Sequence, residues 1–406
     1  MKILCAFGKH NYGNEARGLG YEYSNFLPAL RSLGHEVVFF ELWDRSAYRD
    51  FAELNRGFLQ SIAREQPDIV LCVTMTTELW LETLQLARQG SGAVFIHWNP
   101  DDSWKYRQQS RLIAKGFDVM ATTYPEVLQQ AEHEGLKNFV LTQWAANRAV
   151  FAEPLASDQC LHDVSFVGSA YGNRQNWITA LQECGIAVEC FGFGWPNGPV
   201  ASEEIPKIMR ASRLSLNFGD SGVVMRGGVP ARSRQIKARV FEVPGAGGLL
   251  LTESAEHLGE YFALNQEIAV FDDIDSLADV VGGLLADPAR RDAIAVAGHA
   301  RCRREHSYEV RFSALLDVAL AKRHMQESSH SDVDFSAFEL IASRYRTGIL
   351  LKLLRGFLLF PCQLIWGRKR GARAARRMLF ELSWRLAGDK TYRVGGWAGR
   401  LFYHES

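Results

Sequence analysis

No Cys-x-x-Cys pair occurs among the seven cysteines, which stand at 5, 72, 160, 184, 190, 302 and 362. Their odd number and wide scatter exclude a disulfide framework and a paired-cysteine zinc site, and fit reduced, buried thiols in a cytosol. Phosphate fingerprints are missing too. No Gly-x-Gly-x-x-Gly follows an apolar run, and no Gly-x-x-x-x-Gly-Lys-Ser/Thr occurs, so dinucleotide oxidoreductases and P-loop hydrolases are poor fits. The one early glycine loop, Gly13-Asn-Glu-Ala-Arg-Gly-Leu-Gly20, has the wrong spacing for either. The opening Met1-Lys-Ile-Leu-Cys-Ala-Phe-Gly8 is too short an apolar run for an export signal and reads as a first strand. No residue-level repeat links the two halves. Net charge is also lacking, since 46 Lys and Arg balance 46 Asp and Glu, and no nucleic-acid partner is expected.

What is present is a 406-residue chain with 47% hydrophobic content, enough for two cores and an appendage. From residue 1 to about 150, apolar strands alternate with helical stretches: 1–7, 36–41, 68–73, 93–97, 118–122 and 139–141, with helices near 19–33, 48–65, 77–89 and 125–135. After a loop near 145–162 the alternation restarts at Asp163 and runs to about 325. Strands separated by helices imply βαβ units and parallel sheets. The expected fold is therefore α/β: two Rossmann-like domains, 1–150 and 160–325, facing across a cleft lined by the C-terminal ends of their strands.

The zero charge hides an asymmetry, because residues 341–406 hold fourteen Lys and Arg against three Asp and Glu. Residues 326–336 are polar and read as a linker. Beyond them, 337–406 forms a basic, helical appendage in which the apolar run Ile349–Trp366 precedes Arg368-Lys-Arg-Gly-Ala-Arg-Ala-Ala-Arg-Arg377. Lys352, Arg355 and Pro361 argue against a spanning helix. The expectation is an interfacial helix with a polybasic flank on an anionic membrane surface, with a helical hairpin packed on the protein or on a second subunit as the alternative.

Three segments carry candidate chemistry. Phe166-Val-Gly-Ser-Ala-Tyr-Gly-Asn-Arg174 is a strand end, a small-residue loop and a helix start, and a helix N-terminus attracts anions. Gly168 and Ser169 sit in that loop and Arg174 in the first helical turn. Lys237-Ala-Arg-Val-Phe-Glu242 adds two cations that can neutralise a diphosphate and a carboxylate that can accept from two ribose hydroxyls. Gly247 and Gly248 would let backbone approach a ligand. Asn217, ending Leu214-Ser-Leu-Asn217, either lines the same crevice or starts the next loop. These cations can equally be ordinary surface charge on an amphipathic helix.

Read in order, Phe166-Val-Gly-Ser, Asn173-Arg174, Ile205 to Asn217, Lys237 to Glu242, Gly247 to Glu253 and Glu305-His-Ser-Tyr-Glu-Val-Arg311 resemble the C-terminal half of CgeB-like glycosyltransferases, which are similar to group 1 enzymes of the GT-B fold. The resemblance covers about residues 160–320 well, the N-terminal half in outline, and residues 326–406 not at all. It implies a UDP- or GDP-linked sugar donor held by the second domain, an acceptor held by the first, no other cofactor and no obligatory metal. It further implies that Glu242 binds the ribose while Arg174, Lys237 and Arg239 face the diphosphate. The chain departs from the Glu-x7-Glu pattern of retaining group 1 enzymes: with Glu242 as the second glutamate, the first position is Arg234. Retention and inversion both stay open.

For a base, His97-Trp-Asn-Pro-Asp-Asp102 follows an apolar strand at the expected cleft edge. Asp101 or Asp102 can take the acceptor proton, with His97 orienting or replacing it, unless one of them caps the next helix. His10, in the first glycine loop, is a second candidate. Asp272-Asp-Ile-Asp275 resembles a metal-binding Asp-x-Asp but reads better as a capped turn, and no metal ligands are assigned. Trp195 either flanks a base or plugs the core. The expected enzyme transfers sugar to a glycan or lipid-linked glycan on the cytosolic face of the inner membrane. A nucleotide-sugar epimerase and a non-catalytic assembly protein of the same fold are the alternatives.

Overall fold

The computed structural model describes residues 1–226, 229–324, 332–345 and 347–404. These fall into two compact units, one made of Met1–Gln143 with Ser313–Ser406, the other of Trp144–Phe312.

The first unit holds six strands, β1 Lys2–Phe7, β2 Glu36–Glu41, β3 Ile69–Cys72, β4 Val94–Asn99, β5 Val119–Thr122 and β6 Phe139–Leu141. They pair in parallel in the order β2-β1-β3-β4-β5-β6. β3 and β4 are buried along their whole length, as apolar strands covered on both faces must be. From β1 the chain steps to β2 on one side, then crosses to β3 on the other. The connections after β1 and β3 thus leave the C-terminal edge in opposite directions and open a crevice between them.

The second unit repeats this topology with different residues. β7 His162–Val167, β8 Glu189–Phe191, β9 Ser212–Asn217, β12 Leu250–Glu253 and β13 Ala269–Phe271 form a parallel sheet in the order β13-β12-β9-β7-β8. Its crevice lies between β7 and β9, with Phe166, Trp177, Leu214, Phe218 and Leu251 in the core beneath. Residues 218–236, between the strand ending at Asn217 and the segment that starts at Lys237, show no clear period in sequence. They carry an antiparallel hairpin, β10 Asp220–Arg226 with β11 Val229–Arg234. The Gly227-Gly228 dipeptide between two short runs was a hairpin signal of known kind.

The basic C-terminal region clusters with the first sheet. Part of the expected linker, residues 326–331, lies outside the described residues, and its end is helical: Phe335–Ala342, capped by Asp334 through the Ala337 N–H at 2.8 Å. Phe338 stacks on Trp80 at 6.4 Å, and Glu339 accepts two hydrogen bonds from Arg56, at 2.7 and 2.8 Å. The following helix, Ile349–Ala387, breaks at Gly367, whose φ of 74° is left-handed. The two arms fold back on each other, so that a Cβ on Gly371 would meet the Cys362 carbonyl at 2.5 Å. Leu358, Cys362, Ala375 and Leu379 close the hairpin against Leu401 and Phe402. By length and composition alone this helix could cross a bilayer, and its most apolar window is 11% buried.

Of the cysteines, Cys5, Cys72, Cys190, Cys302 and Cys362 are buried, as structural thiols should be. Cys184 is exposed instead, and Cys160 half-buried.

Candidate functional site

In the second unit, Gly168 and Ser169 follow β7 and Asn217 ends β9, so both flank the crevice where the strand order reverses. Arg174 opens the helix Arg174–Glu183, whose N-cap residue Asn173 makes no side-chain cap to the first N–H groups. The Arg174 side chain folds back over the loop. Nη1 donates to the Ser169 carbonyl at 2.8 Å, Nη2 to the Tyr171 hydroxyl at 3.1 Å, and the guanidinium lies 4.0 Å over the Tyr171 ring. Arg174 is 6% exposed, and burial pushes its pKa down, helped by the positive charge of Arg239 and opposed by Asp220. Two arginines from separate helices therefore share one electrostatic environment.

Arg239 begins the helix Arg239–Gly245, and its Nε is buried without a hydrogen-bond partner among the described residues. Glu242, three residues on, lies on the same helix face and is half-buried. Lys237 precedes the helix and its carbonyl accepts from the Val240 N–H at 3.0 Å. Arg174, Arg239 and Glu242 thus occupy the C-terminal edge of the second sheet, with Lys237 in the turn leading to them.

The glycines behave differently. Gly247 has φ +85°, and a Cβ there would meet the Ala152 carbonyl at 2.4 Å; one on Gly248 would meet the Met209 carbonyl at 2.4 Å. Both lie just before β12, at the opposite edge of the sheet from Gly168. They are packing glycines, not part of a ligand cradle, because the backbone they admit is the protein's own. Asn217 is 2% exposed and donates through Nδ2 to Thr252 Oγ1 at 2.9 Å, locking β9 to β12. Trp195 is a plug: Nε1 donates to the Gly168 carbonyl at 2.7 Å and the ring packs edge-on against Phe166. Asp273 forms a capping box with Ser276, as a capped turn requires.

Sequence reasoning missed the hairpin arginines. Glu253, 1% exposed at the end of β12, receives Arg232 at 2.5 Å and Arg234 at 3.0 Å, with the Gly219 N–H at 3.0 Å. Arg234 also reaches Ser254 Oγ and the Asp272 carbonyl, both at 2.9 Å. Arg234, at the first position of the Glu-x7-Glu pattern, is thus a cation neutralising a buried carboxylate.

A family described as "Glycosyl transferase-like" matches residues 174–317. The match spans about a third of the chain, and over that span the chain is similar to this family. The span contains Arg174, Arg239 and Glu242. No curated protein matches the chain in sequence. Among solved structures, sucrose-phosphate synthase from Thermosynechococcus elongatus is similar at TM-score 0.58 and 12% identity, covering 80% of this chain and 100% of that one. A glycosyltransferase from Rickettsia africae gives TM-score 0.54 at 12% identity, covering 80% and 99%. Anabaena HepE, solved with UDP-glucose, gives 0.54 at 13% identity over 79% and 100%. The fold is GT-B.

In the first unit the four candidate bases separate. His97 is 2% exposed, its Nδ1 donates to Asn99 Oδ1 at 2.7 Å, and its Nε2 accepts from Thr74 Oγ1 at 2.8 Å. Burial pushes its pKa down to about 3. It is a neutral core histidine with both nitrogens occupied, so it neither orients nor replaces an aspartate. Asp102 is 3% exposed and accepts from Ser110. Asp101 is at the helix start, but its carboxylate turns to Lys105 at 3.4 Å instead of capping. His10 is half-buried in the loop after β1. A further carboxylate escaped the sequence reading: Glu22, 6% exposed in the first turn of Tyr21–Ser32, is pushed up to about 7 by burial, and the charges of Asp101 and Lys105 act on it. An acidic first turn is common enough that it gave no signal.

Burial likewise pushes Asp102 up to about 7, against the opposing hydroxyls of Ser110 and Thr122. A carboxyl that holds its proton more tightly when folded contributes stability in acid and loses it as pH rises from about 4 towards 7. Asp102→Asn removes that titration. Its melting temperature relative to wild type is therefore expected to rise steadily between about pH 4 and 8, measured by parallel thermal melts. A difference independent of pH would refute the shifted carboxyl.

Proposed function

We propose that the protein is a glycosyltransferase, CgeB-like in its second half, that moves a sugar from a UDP- or GDP-linked donor to a glycan or lipid-linked glycan. The observation that carries this is the proximity of Arg174 and Arg239 beside a helix start without an N-cap side chain, at the crevice of the unit that holds most of the span similar to the glycosyl transferase-like family. Two cations and helix N–H groups suit a departing diphosphate, whose charge grows in the transition state. They do so without requiring a metal. Glu242 on the same face would hold the ribose. HepE was solved with UDP-glucose, a donor of this class. In the first unit Asp101, Glu22 and His10 are the groups offered for the acceptor proton, Asp102 being more deeply buried. A retaining and an inverting step are both compatible with this site, since Arg234 stands where the Glu-x7-Glu pattern has its first glutamate.

Titration calorimetry with a panel of UDP- and GDP-sugars tests this, followed by turnover with crude acceptor lipid. Absence of donor binding sinks the donor site, and turnover without any acceptor would favour an epimerase.

We place the enzyme on the cytosolic membrane surface. Ile349, Leu350, Leu353, Phe357, Phe360 and Leu364 are exposed along the first hairpin arm, and Arg368, Lys369, Arg370 and Arg373 follow at the bend. Deleting the tail would strip Phe338 from Trp80, so substitution is the better probe. Phe357→Glu with Phe360→Glu should abolish co-sedimentation with anionic vesicles, whereas undiminished binding removes the membrane claim.

A further inference from the structure

The C-terminal hairpin does more than present an apolar face. Together with the loops after β2, β3 and β4 it encloses a cavity of about 190 Å³ at the C-terminal edge of the first sheet. Arg45, Lys105, Arg376 and Arg377 line it, against one lining carboxylate among the described residues, Glu381, while Arg45 and Lys105 are themselves paired with Glu78 and Asp101. Phe51, Trp104, Phe402 and Tyr403 supply aromatic walls.

Arg45 is the built element. Its side chain is 10% exposed, Nη2 donates to the fully buried Glu78 at 2.5 Å, and its guanidinium lies 4.5 Å over Phe51 and 5.4 Å from the Tyr403 ring centre. Nη1 is buried with no partner among the described residues. A guanidinium held this way by a carboxylate and two rings, with donors unspent, is preorganised for an anion. Lys105 connects the cavity to the candidate bases, because it lines the wall and pairs with Asp101.

We propose that this cavity binds the phosphate-bearing end of a lipid-linked acceptor, so that the tail, a segment without counterpart in the family resemblance, is part of the acceptor site. This rests on the glycosyltransferase reading. The chemistry is that of a phosphate next to hydrocarbon: cations and rings in the cavity, and an exposed apolar arm on the same hairpin that supplies Arg376 and Arg377. A free sugar or neutral glycan would use neither.

The test titrates the full-length protein with farnesyl diphosphate, inorganic pyrophosphate, farnesol and UDP. Farnesyl diphosphate should bind, and Arg376→Gln with Arg377→Gln should weaken it by about tenfold or more, as expected for lost charge-assisted hydrogen bonds. Arg368→Gln/Lys369→Gln/Arg370→Gln, which removes more charge from the same arm outside the cavity, should change it by less than about twofold. UDP affinity should not move in either variant. Equal weakening by both variants, or none, overturns the proposal. Pyrophosphate binding as tightly as farnesyl diphosphate would assign the cavity to free phosphate and overturn the lipid acceptor, and farnesol binding equally would remove the role of the cations. Should the double variant melt lower than wild type, Arg377→Gln alone is used, since Arg377 is exposed. If UDP- and GDP-sugars fail to bind while farnesyl diphosphate binds, the glycosyltransferase reading falls and the cavity stands; the reverse result removes the cavity alone.

Discussion

Glu253→Gln is expected to cost about 3 kcal/mol of folding free energy, near the low end for breaking a buried ion pair. Glu253 has no exposed side-chain surface, whereas Arg232 and Arg234 are 28% and 32% exposed. Glutamine keeps an oxygen for the Gly219 N–H but offers no charge to the two guanidiniums. Those arginines can turn partly to water, which limits the loss. In urea the midpoint should fall by about 1 M with an unchanged slope. Removing all three charges, as Arg232→Gln/Arg234→Gln/Glu253→Gln, should cost less than Glu253→Gln alone, since what hurts is the uncompensated remainder. A triple variant that is the less stable of the two would mean that hairpin packing, not charge balance, is what Glu253 secures.

Replacing Arg174 and Arg239 together by glutamine is expected to weaken nucleotide-sugar binding by about 100-fold or more, each charge-assisted contact contributing about 1.5–3 kcal/mol. The single variants should not add up to the double one. Burial is the main cause of the lowered Arg174 pKa, and the like charge of Arg239 adds to it, so removing one arginine relieves the other. Calorimetry with UDP and UDP-sugars gives the comparison directly. Because Arg174 also ties down Ser169 and Tyr171, its variant must keep the wild-type melting temperature for the affinity to be read as a phosphate effect. Donor affinity unchanged in the double variant would move the diphosphate elsewhere.

The strand series was legible because each strand is a short, nearly continuous apolar run between helical stretches, the pattern that parallel sheets demand. Arg239 and Glu242 stood out as candidates for a similar reason, as chemistry-bearing residues three apart on one helix face, with Lys237 just before the helix. His97 was misleading. A histidine between Ile96 and Trp98 on a fully buried strand has no access to solvent, and only the positions of Thr74 and Asn99 reveal that both nitrogens are spent. Glu22 was invisible for the opposite reason, since its neighbours Asp101 and Lys105 lie some eighty residues along the chain.

By itself the sequence determined the alternation of strands and helices and the charge asymmetry of the tail, and it singled out Arg174, Lys237, Arg239 and Glu242 as donor-site candidates, all from local pattern and composition. Tertiary structure decided which glycines pack against backbone, which carboxylates are buried, and that Arg234 answers Glu253. It also decided that the basic tail folds back at Gly367 and lines a cavity with Arg45. Those outcomes depend on contacts between residues far apart in sequence, where burial and charge balance act and periodicity is silent.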